Sequence, residues 1–314
     1  MTMVVAYEEA KTRLLKRRNQ AQTGAKIGFF DYPDDHEMPH ATLNEHAPGP
    51  YLDPVHFHSV DQFHVLIDGE FRMGKEQLTT YAVHFSRAYT PYGPLVSTTG
   101  FTFLVLRAHR DIGPQHISKE LDQLKRVPNR KPWQLKRPVN FPGLAMGTAH
   151  ALCAVPEMRD DAGLGVYSLQ MQPNATTSAP DPAPGDGQYV IVLKGSFLHE
   201  NKEHQGLSLV FVRPEDEPFK LHAGAQGLEA IILNFPDTRR RDSPSPGPAA
   251  TRSGGKWHCT LCDFTYDEKL GMPDDGIPAG TRWQDVPESW VCPDCSSRKA
   301  DFQMVETTAP GTWK

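Results

Sequence analysis

Four of the five cysteines stand in two C-x2-C pairs, Cys259/Cys262 and Cys292/Cys295, with 29 residues between the pairs. A C-x2-C turn aims two thiolates at one point, and two such turns facing each other make a closed tetrahedral four-sulfur site, the geometry that selects zinc or iron. Spacing alone favours zinc, because closed four-cysteine sites are more often structural. Cys153 stands alone and reads as a buried apolar thiol. A second group of ligand-type residues lies far upstream. His56 and His58 alternate on an expected strand and so share a face, as do Gln62 and His64 on the next. His56 and His58, completed by His64 or Gln62, would offer imidazole nitrogens and open positions to a first-row metal, Fe(II), Mn, Ni or Cu, with Fe(II) favoured. The competing reading makes these residues the polar lining of a pocket or hydrogen-bonded structural groups. His84 falls near an expected turn and is the weakest of the candidate ligands. His36, His40 and His46 lie in a segment with no assigned fold.

The chain that must position these groups has 314 residues, 38% hydrophobic and 23% charged, as expected of a globular protein of two or three domains. Its net charge of −5 supplies no basic field for nucleic acid. No apolar run approaches the ~18 residues of a membrane span, and the N-terminus shows no signal-peptide pattern, so a cytoplasmic location is expected. Residues 6–19 read as an amphipathic helix. Beyond them the pattern is β, with strands expected at Gln62–Ile67, Phe101–Arg107, Gln188–Leu193, Leu207–Val212 and Leu228–Asn234. Gln62-Phe-His-Val-Leu-Ile-Asp-Gly-Glu-Phe71 repeats as Gln188-Tyr-Val-Ile-Val-Leu-Lys-Gly-Ser-Phe197 at an offset of 126, and Gly100–Leu106 repeats as Gly227–Leu233 at 127. That period marks a duplicated domain rather than a solenoid. The expected domains are 1–125 (helix and first barrel), 126–235 (second barrel), a linker at 236–255, a metal domain at 256–306 and a tail at 307–314. The proline-rich linker, with an expected mean span of roughly 25 Å, predicts two independently folding units.

Two stretches resemble known families. Lys256-Trp-His-Cys-Thr-Leu-Cys-Asp-Phe-Thr-Tyr-Asp267, Gly271–Trp283, Asp285-Val-Pro-Glu-Ser-Trp-Val-Cys-Pro-Asp-Cys295 and Lys299–Phe302 closely resemble rubredoxin. The resemblance implies a single iron held by Cys259, Cys262, Cys292 and Cys295, one-electron transfer, and a core of Trp257, Phe264, Tyr266, Trp283, Trp290 and Phe302. Asp263 and Ser296 replace the glycine that rubredoxins usually carry after each pair, where the turn often needs φ > 0. Upstream, Gly49, His56-Phe-His58, Gln62 and Gly69 look like the first cupin motif, and Pro91-Tyr-Gly93 looks like part of the second. Gln62 stands where that family has glutamate, and Val96 where it has histidine. With the duplication, this implies a bicupin of two jelly-roll barrels. Pro182 and Pro184 occupy the positions of His56 and His58 in the second copy, which is therefore expected to be metal-free and structural, a packing or dimerisation partner.

Residues 256–306 hold ten acids against five bases. That charge reads equally as a solvated surface or as steering toward a basic redox partner such as a flavoprotein rubredoxin reductase. Two functions follow. In the first, the rubredoxin domain feeds electrons to a mononuclear metal in the first cupin, which acts on a small molecule with O₂ as a cupin-type oxidoreductase. In the second, the chain is an electron carrier whose bicupin docks an external oxygenase.

Overall fold

The computed structural model describes residues 2–15, 24–128, 130–240 and 255–305. Two antiparallel sheets of matching order dominate them. The first runs Gln134–Pro138, Ala82–Ser86, Gln62–Met73, Phe101–Arg107, His40–His46, Lys26–Phe30. The second runs Met3–Val5, Leu209–Val212, Gly185–His199, Lys220–Pro236, Gly165–Met171, His150–Arg159. The repeated segments occupy the same two central places in each sheet, so the duplication seen in sequence is a duplication of topology. Gln62–Met73 also pairs with Glu76–Thr79 and Leu95–Ser97, and thereby wraps its sheet into a barrel. The glycines of the repeat have a steric origin. A Cβ on Gly69 (φ +80°) would lie 2.5 Å from the Gly100 carbonyl oxygen, and one on Gly195 (φ +71°) 2.0 Å from that of Gly227, so no larger residue fits.

The central strands are buried on both faces, which is why they read as continuous apolar runs. Phe63 and Val65 point toward Tyr189, Phe211 and Phe235 of the other barrel in one shared core. Gln62, His64 and Leu66, one residue out of phase, belong to the opposite face of the same strand. In the second copy the equivalent inward positions are Val190 and Val192, part of a wholly apolar cluster. Tyr189 Oη donates to the Arg107 carbonyl at 2.9 Å and ties the second barrel to the end of a first-barrel strand.

Two expectations differ from this arrangement. Met3–Val5 pairs with Leu209–Val212, and Gln134–Pro138 pairs with Ala82–Ser86, so each barrel's outer strand comes from the far side of the expected 125/126 boundary. A sheet edge needs partners for its free N–H and C=O groups, and each sheet takes the strand that reaches it. Of the helix expected over 6–19, residues 16–19 lie outside the described residues, and among 6–15 the helix is confined to Tyr7–Ala10. Beyond it the Leu15 amide bonds the Lys26 carbonyl and the Gly28 amide bonds that of Arg13, so sheet pairing overrides helix propensity.

His109 and Asp186 link the barrels, Nε2 to Oδ2 at 3.9 Å. The neighbouring Asp186 carboxylate raises the His109 pKa against its burial. Burial would raise Asp186, but the nearby His109 and the bond from the Thr238 amide at 3.1 Å outweigh that and lower it. A raised histidine stabilises below about 6.5 and loses that effect as pH rises through its folded value; a lowered carboxylate stabilises above about 3.9 and loses it as pH falls. The pair therefore supports the barrel contact from about pH 4 to beyond pH 6.5. The stability difference between wild type and His109→Gln, read from urea midpoints, is expected to shrink between pH 6 and pH 8.

Candidate metal centre

The C-terminal domain is a three-stranded sheet, Thr265–Asp267, Lys256–Cys259 and Phe302–Met304, carrying a dense aromatic core. Trp257 stacks on Trp283 at 5.3 Å between ring centroids, and Trp283 meets Phe302 at 4.7 Å. The cysteine turns close over one end of this core. One donor atom from each of Cys259, Cys262, Cys292 and Cys295 lies within 4.8 Å of the other three, and all four residues are buried. Cys262 and Cys292 approach to 3.4 Å, and Cys259 and Cys295 to 3.7 Å. Four sulfurs ~2.3 Å from one metal stand ~3.8 Å apart, so the residues fit a single tetrahedral ion. Neighbouring thiols, first Cys262, then Cys292 and Cys295, hold the Cys259 sulfur toward thiolate, and the Ser297 hydroxyl at 3.1 Å adds to this.

Asp263 (φ +76°) and Ser296 (φ +58°) adopt the left-handed conformation that the turn asks of glycine. Ser296 is exposed and gains nothing from packing. A non-glycine residue there costs about 1–2 kcal/mol, so Ser296→Gly is expected to raise the temperature at which visible colour is lost, with the spectrum itself unchanged.

This domain packs on the first barrel. Phe57, Leu124 and the partly buried Val55, Tyr89, Ile117 and Leu121 share one hydrophobic cluster with the four cysteines and the aromatic core. Arg130 donates to the carbonyls of Thr260 (2.5 Å) and Leu261 (2.7 Å) within the first cysteine turn, and to that of Tyr89 (3.1 Å) in the barrel. Lys125 pairs with Asp301 at 2.8 Å, and Lys75 pairs with Asp275. The acidic surface thus meets a basic partner within the same chain. Of the linker expected at 236–255, residues 241–254 lie outside the described residues, while its first residues end the strand Lys220–Pro236 and form the short 3-10 helix Thr238–Arg240; the expected independence of the two units does not hold where they share a core.

On the other side of Phe57 lies a polar cluster inside the barrel. Strand His56–Phe57 turns its phenyl ring toward the cysteine domain, while His56 and His58, rings 5.3 Å apart, face inward. Gln62 and His64 join them, together with His84, Tyr92 and Arg107, all buried. His84 is not near a turn, as the sequence suggested. It sits mid-strand opposite His64, with Nδ1 atoms 3.0 Å apart and rings parallel. Arg107 donates through Nε (3.1 Å) and Nη2 (2.8 Å) to Gln62 Oε1. The Gln62 amide then donates to Tyr92 Oη at 2.6 Å. Tyr92 Oη is 2.9 Å from His56 Nε2, whose other nitrogen donates to the Pro54 carbonyl at 2.7 Å. His58 Nδ1 lies 2.5 Å from Asp111. Burial first, then Arg107, lowers His58 and His40 to about 3. Burial also lowers His56, His64 and His84 and raises Tyr92, so the imidazoles are neutral and the phenol protonated near pH 7.

The four residues expected to bind metal here are brought into one interior but not onto one point. Among the described residues, no donor set made of His56, His58 and His64 converges within 4.8 Å, and Gln62 presents its oxygen to a buried guanidinium. The expected ligand set His56, His58, Gln62 and His64 does not fit a cation as it stands, because Arg107 already supplies the positive charge that the Gln62 oxygen faces. Tyr92 lies inside the quoted Pro91-Tyr-Gly93 and Arg107 is the lone charge ending an apolar strand. Either could have been flagged from sequence; Asp111 carries no such signal.

A cavity of about 560 Å³ opens beside this region, between the barrels, lined by residues that include Ser59, Asp61, His109, Arg110, Arg130 and Asp186. No helix among the described residues is long and apolar enough to cross a membrane.

A small aromatic-cored domain closed by four cysteine sulfurs on one point is a mononuclear metal–thiolate domain of the electron-transfer kind. The rubredoxin family profile matches residues 256–302, and through this domain the chain belongs to the rubredoxin family. Rubredoxin-2 of Pseudomonas aeruginosa is 63% identical over 51 residues, 16% of this chain and 93% of the relative. Rubredoxin-1 of Alcanivorax borkumensis is 61% identical over 51 residues, 16% of this chain and 94% of the relative. The remainder is cupin-like. A solved structure of oxalate decarboxylase superposes with a TM-score of 0.52 at 9% identity, covering 76% of this chain and 77% of that one, a likeness of fold alone.

Proposed function

We propose that the chain is a one-electron transfer protein whose rubredoxin domain is docked to serve a redox reaction of a small molecule at the first cupin barrel. Iron held by Cys259, Cys262, Cys292 and Cys295 would supply reversible one-electron exchange. The observation that carries this reading is Phe57: its ring belongs to the core around the four cysteines, while its neighbours His56 and His58 line the barrel interior. A single residue of strand therefore separates the two environments. Phe57, Tyr89 and Leu124 exclude water from the contact, and Arg130 fixes the first cysteine turn against the barrel. Basic Lys75, Lys125 and Arg130 against an acidic domain hold the docked arrangement, so the contact is expected to weaken as salt rises. A flavoprotein reductase is the expected external donor.

The test uses the iron-loaded full chain, reduced anaerobically, with return of the visible band followed on exposure to O₂. In the Lys125→Glu/Arg130→Glu variant, re-oxidation is expected to slow about tenfold with the iron spectrum retained. Equal rates would reject the barrel as the destination and favour the carrier reading, in which the bicupin only docks an external oxygenase.

A further inference from the structure

The barrel holds a second set of ligand-type residues. Asp53, on strand Tyr51–Asp53, His56, and His116 on strand Gln115–His116 each offer a donor atom within 4.8 Å of the other two. His56 and His116 are direct cross-strand partners, with rings 5.7 Å apart. Asp53 Oδ1 lies 3.8 Å from His56 Nδ1. His116 Nδ1 is buried and has no hydrogen-bond partner, an arrangement that leaves a desolvated lone pair or N–H uncompensated.

We propose that Asp53, His56 and His116 form a binding site for a divalent first-row metal ion. Two imidazoles and one carboxylate with open positions suit Fe(II) or Mn(II). Ligation through His56 Nδ1 would replace its 2.7 Å bond to the Pro54 carbonyl and leave the ring proton on Nε2, which would donate to Tyr92 Oη at 2.9 Å. The Tyr92–Gln62–Arg107 chain then orients the ligand from behind, as outer partners do in metal sites. Both histidines sit one residue from the cysteine domain's core: His56 precedes Phe57, and His116 precedes Ile117, the start of helix Ile117–Lys125, whose Leu121 and Leu124 pack in that core. The assignment rests on, and deepens, the reading that the electron enters the first barrel: an ion there that O₂ oxidises from M(II) to M(III) would be returned to M(II) by that electron. The site differs from the set His56, His58, Gln62 and His64 in two of its three ligands.

The test is equilibrium dialysis of the iron-loaded full chain against Mn(II), with bound manganese counted by elemental analysis and its electron paramagnetic resonance recorded. One Mn(II) per chain beyond the cysteine-bound iron is expected. Asp53→Asn and His116→Gln should each weaken binding at least about tenfold while circular dichroism and red colour persist, and His64→Gln should leave it unchanged. Absence of bound Mn(II), or its loss in His64→Gln but not in His116→Gln, overturns the site. The electron-delivery reading fails separately: Mn(II) bound at the triad with re-oxidation indifferent to the Lys125→Glu/Arg130→Glu change keeps the site and removes the reading. No Mn(II) bound, with re-oxidation still slowed by that change, does the reverse.

Discussion

Cys292→Ser is expected to abolish the bound iron and the visible colour, to unfold residues 255–305, and to lower the thermal midpoint of the two barrels as well. The first two effects follow from metal-coupled folding. A domain of this size has little core without its ion, and ligand binding by closed thiolate sites contributes on the order of 10 kcal/mol to folding. The third follows from Phe57 and Leu124, which are fully buried in the cluster they share with the cysteine domain. Re-exposing such side chains costs about 1.5–3 kcal/mol each. For a part of this length, each kcal/mol lost lowers the midpoint by roughly 2–4 °C. Visible absorption, metal content and differential scanning calorimetry would read the three effects together. An unchanged barrel transition would mean that the contact contributes nothing to barrel stability.

Arg107→Met is expected to destabilise the first barrel by about 3–5 kcal/mol, the range for breaking a buried ion pair from one side. The substitution leaves the Asp111 carboxylate, whose side chain is 1% exposed, without its nearby cation, and strips both donors from Gln62 Oε1. Burial alone would raise Asp111; hydrogen bonds from His58 and Ser59 and the charge of Arg107 hold it below the usual carboxylate range. Asp111→Asn in the same background should recover part of the loss, because it removes the orphaned charge while keeping one oxygen that can accept from the Ser59 amide and hydroxyl, at the expense of the bond from the Gly113 amide. Denaturant midpoints of the three variants give the coupling directly. Additive effects would show that Arg107 and Asp111 do not act as a unit.

Much of this architecture could be read from local pattern. The strand Phe101–Arg107 has the bounds expected for it, and Gln62–Met73 and Gly185–His199 contain the repeats that mark the duplication. The four cysteines are found where their turns aim them. By contrast, His84, a histidine between motif fragments, looks like a loop residue until its cross-strand partner His64 is known. His116 gave no signal at all: its strand has two residues, and its significance comes wholly from His56, sixty positions earlier.

The thiolate site, the β class and the duplicated barrels are legible in the order of residues alone. Each of these depends on short-range geometry: two residues between cysteines, period-two burial along a strand, and glycines where two backbones must touch. Three features emerge only in the folded chain: the outer strands cross between barrels, Arg107 and Tyr92 occupy the space among the expected ligands, and the acidic domain rests on Phe57 and Arg130. Those outcomes depend on which distant side chains share a volume. Local periodicity fixes the face a residue presents, but packing and charge balance fix what that face meets.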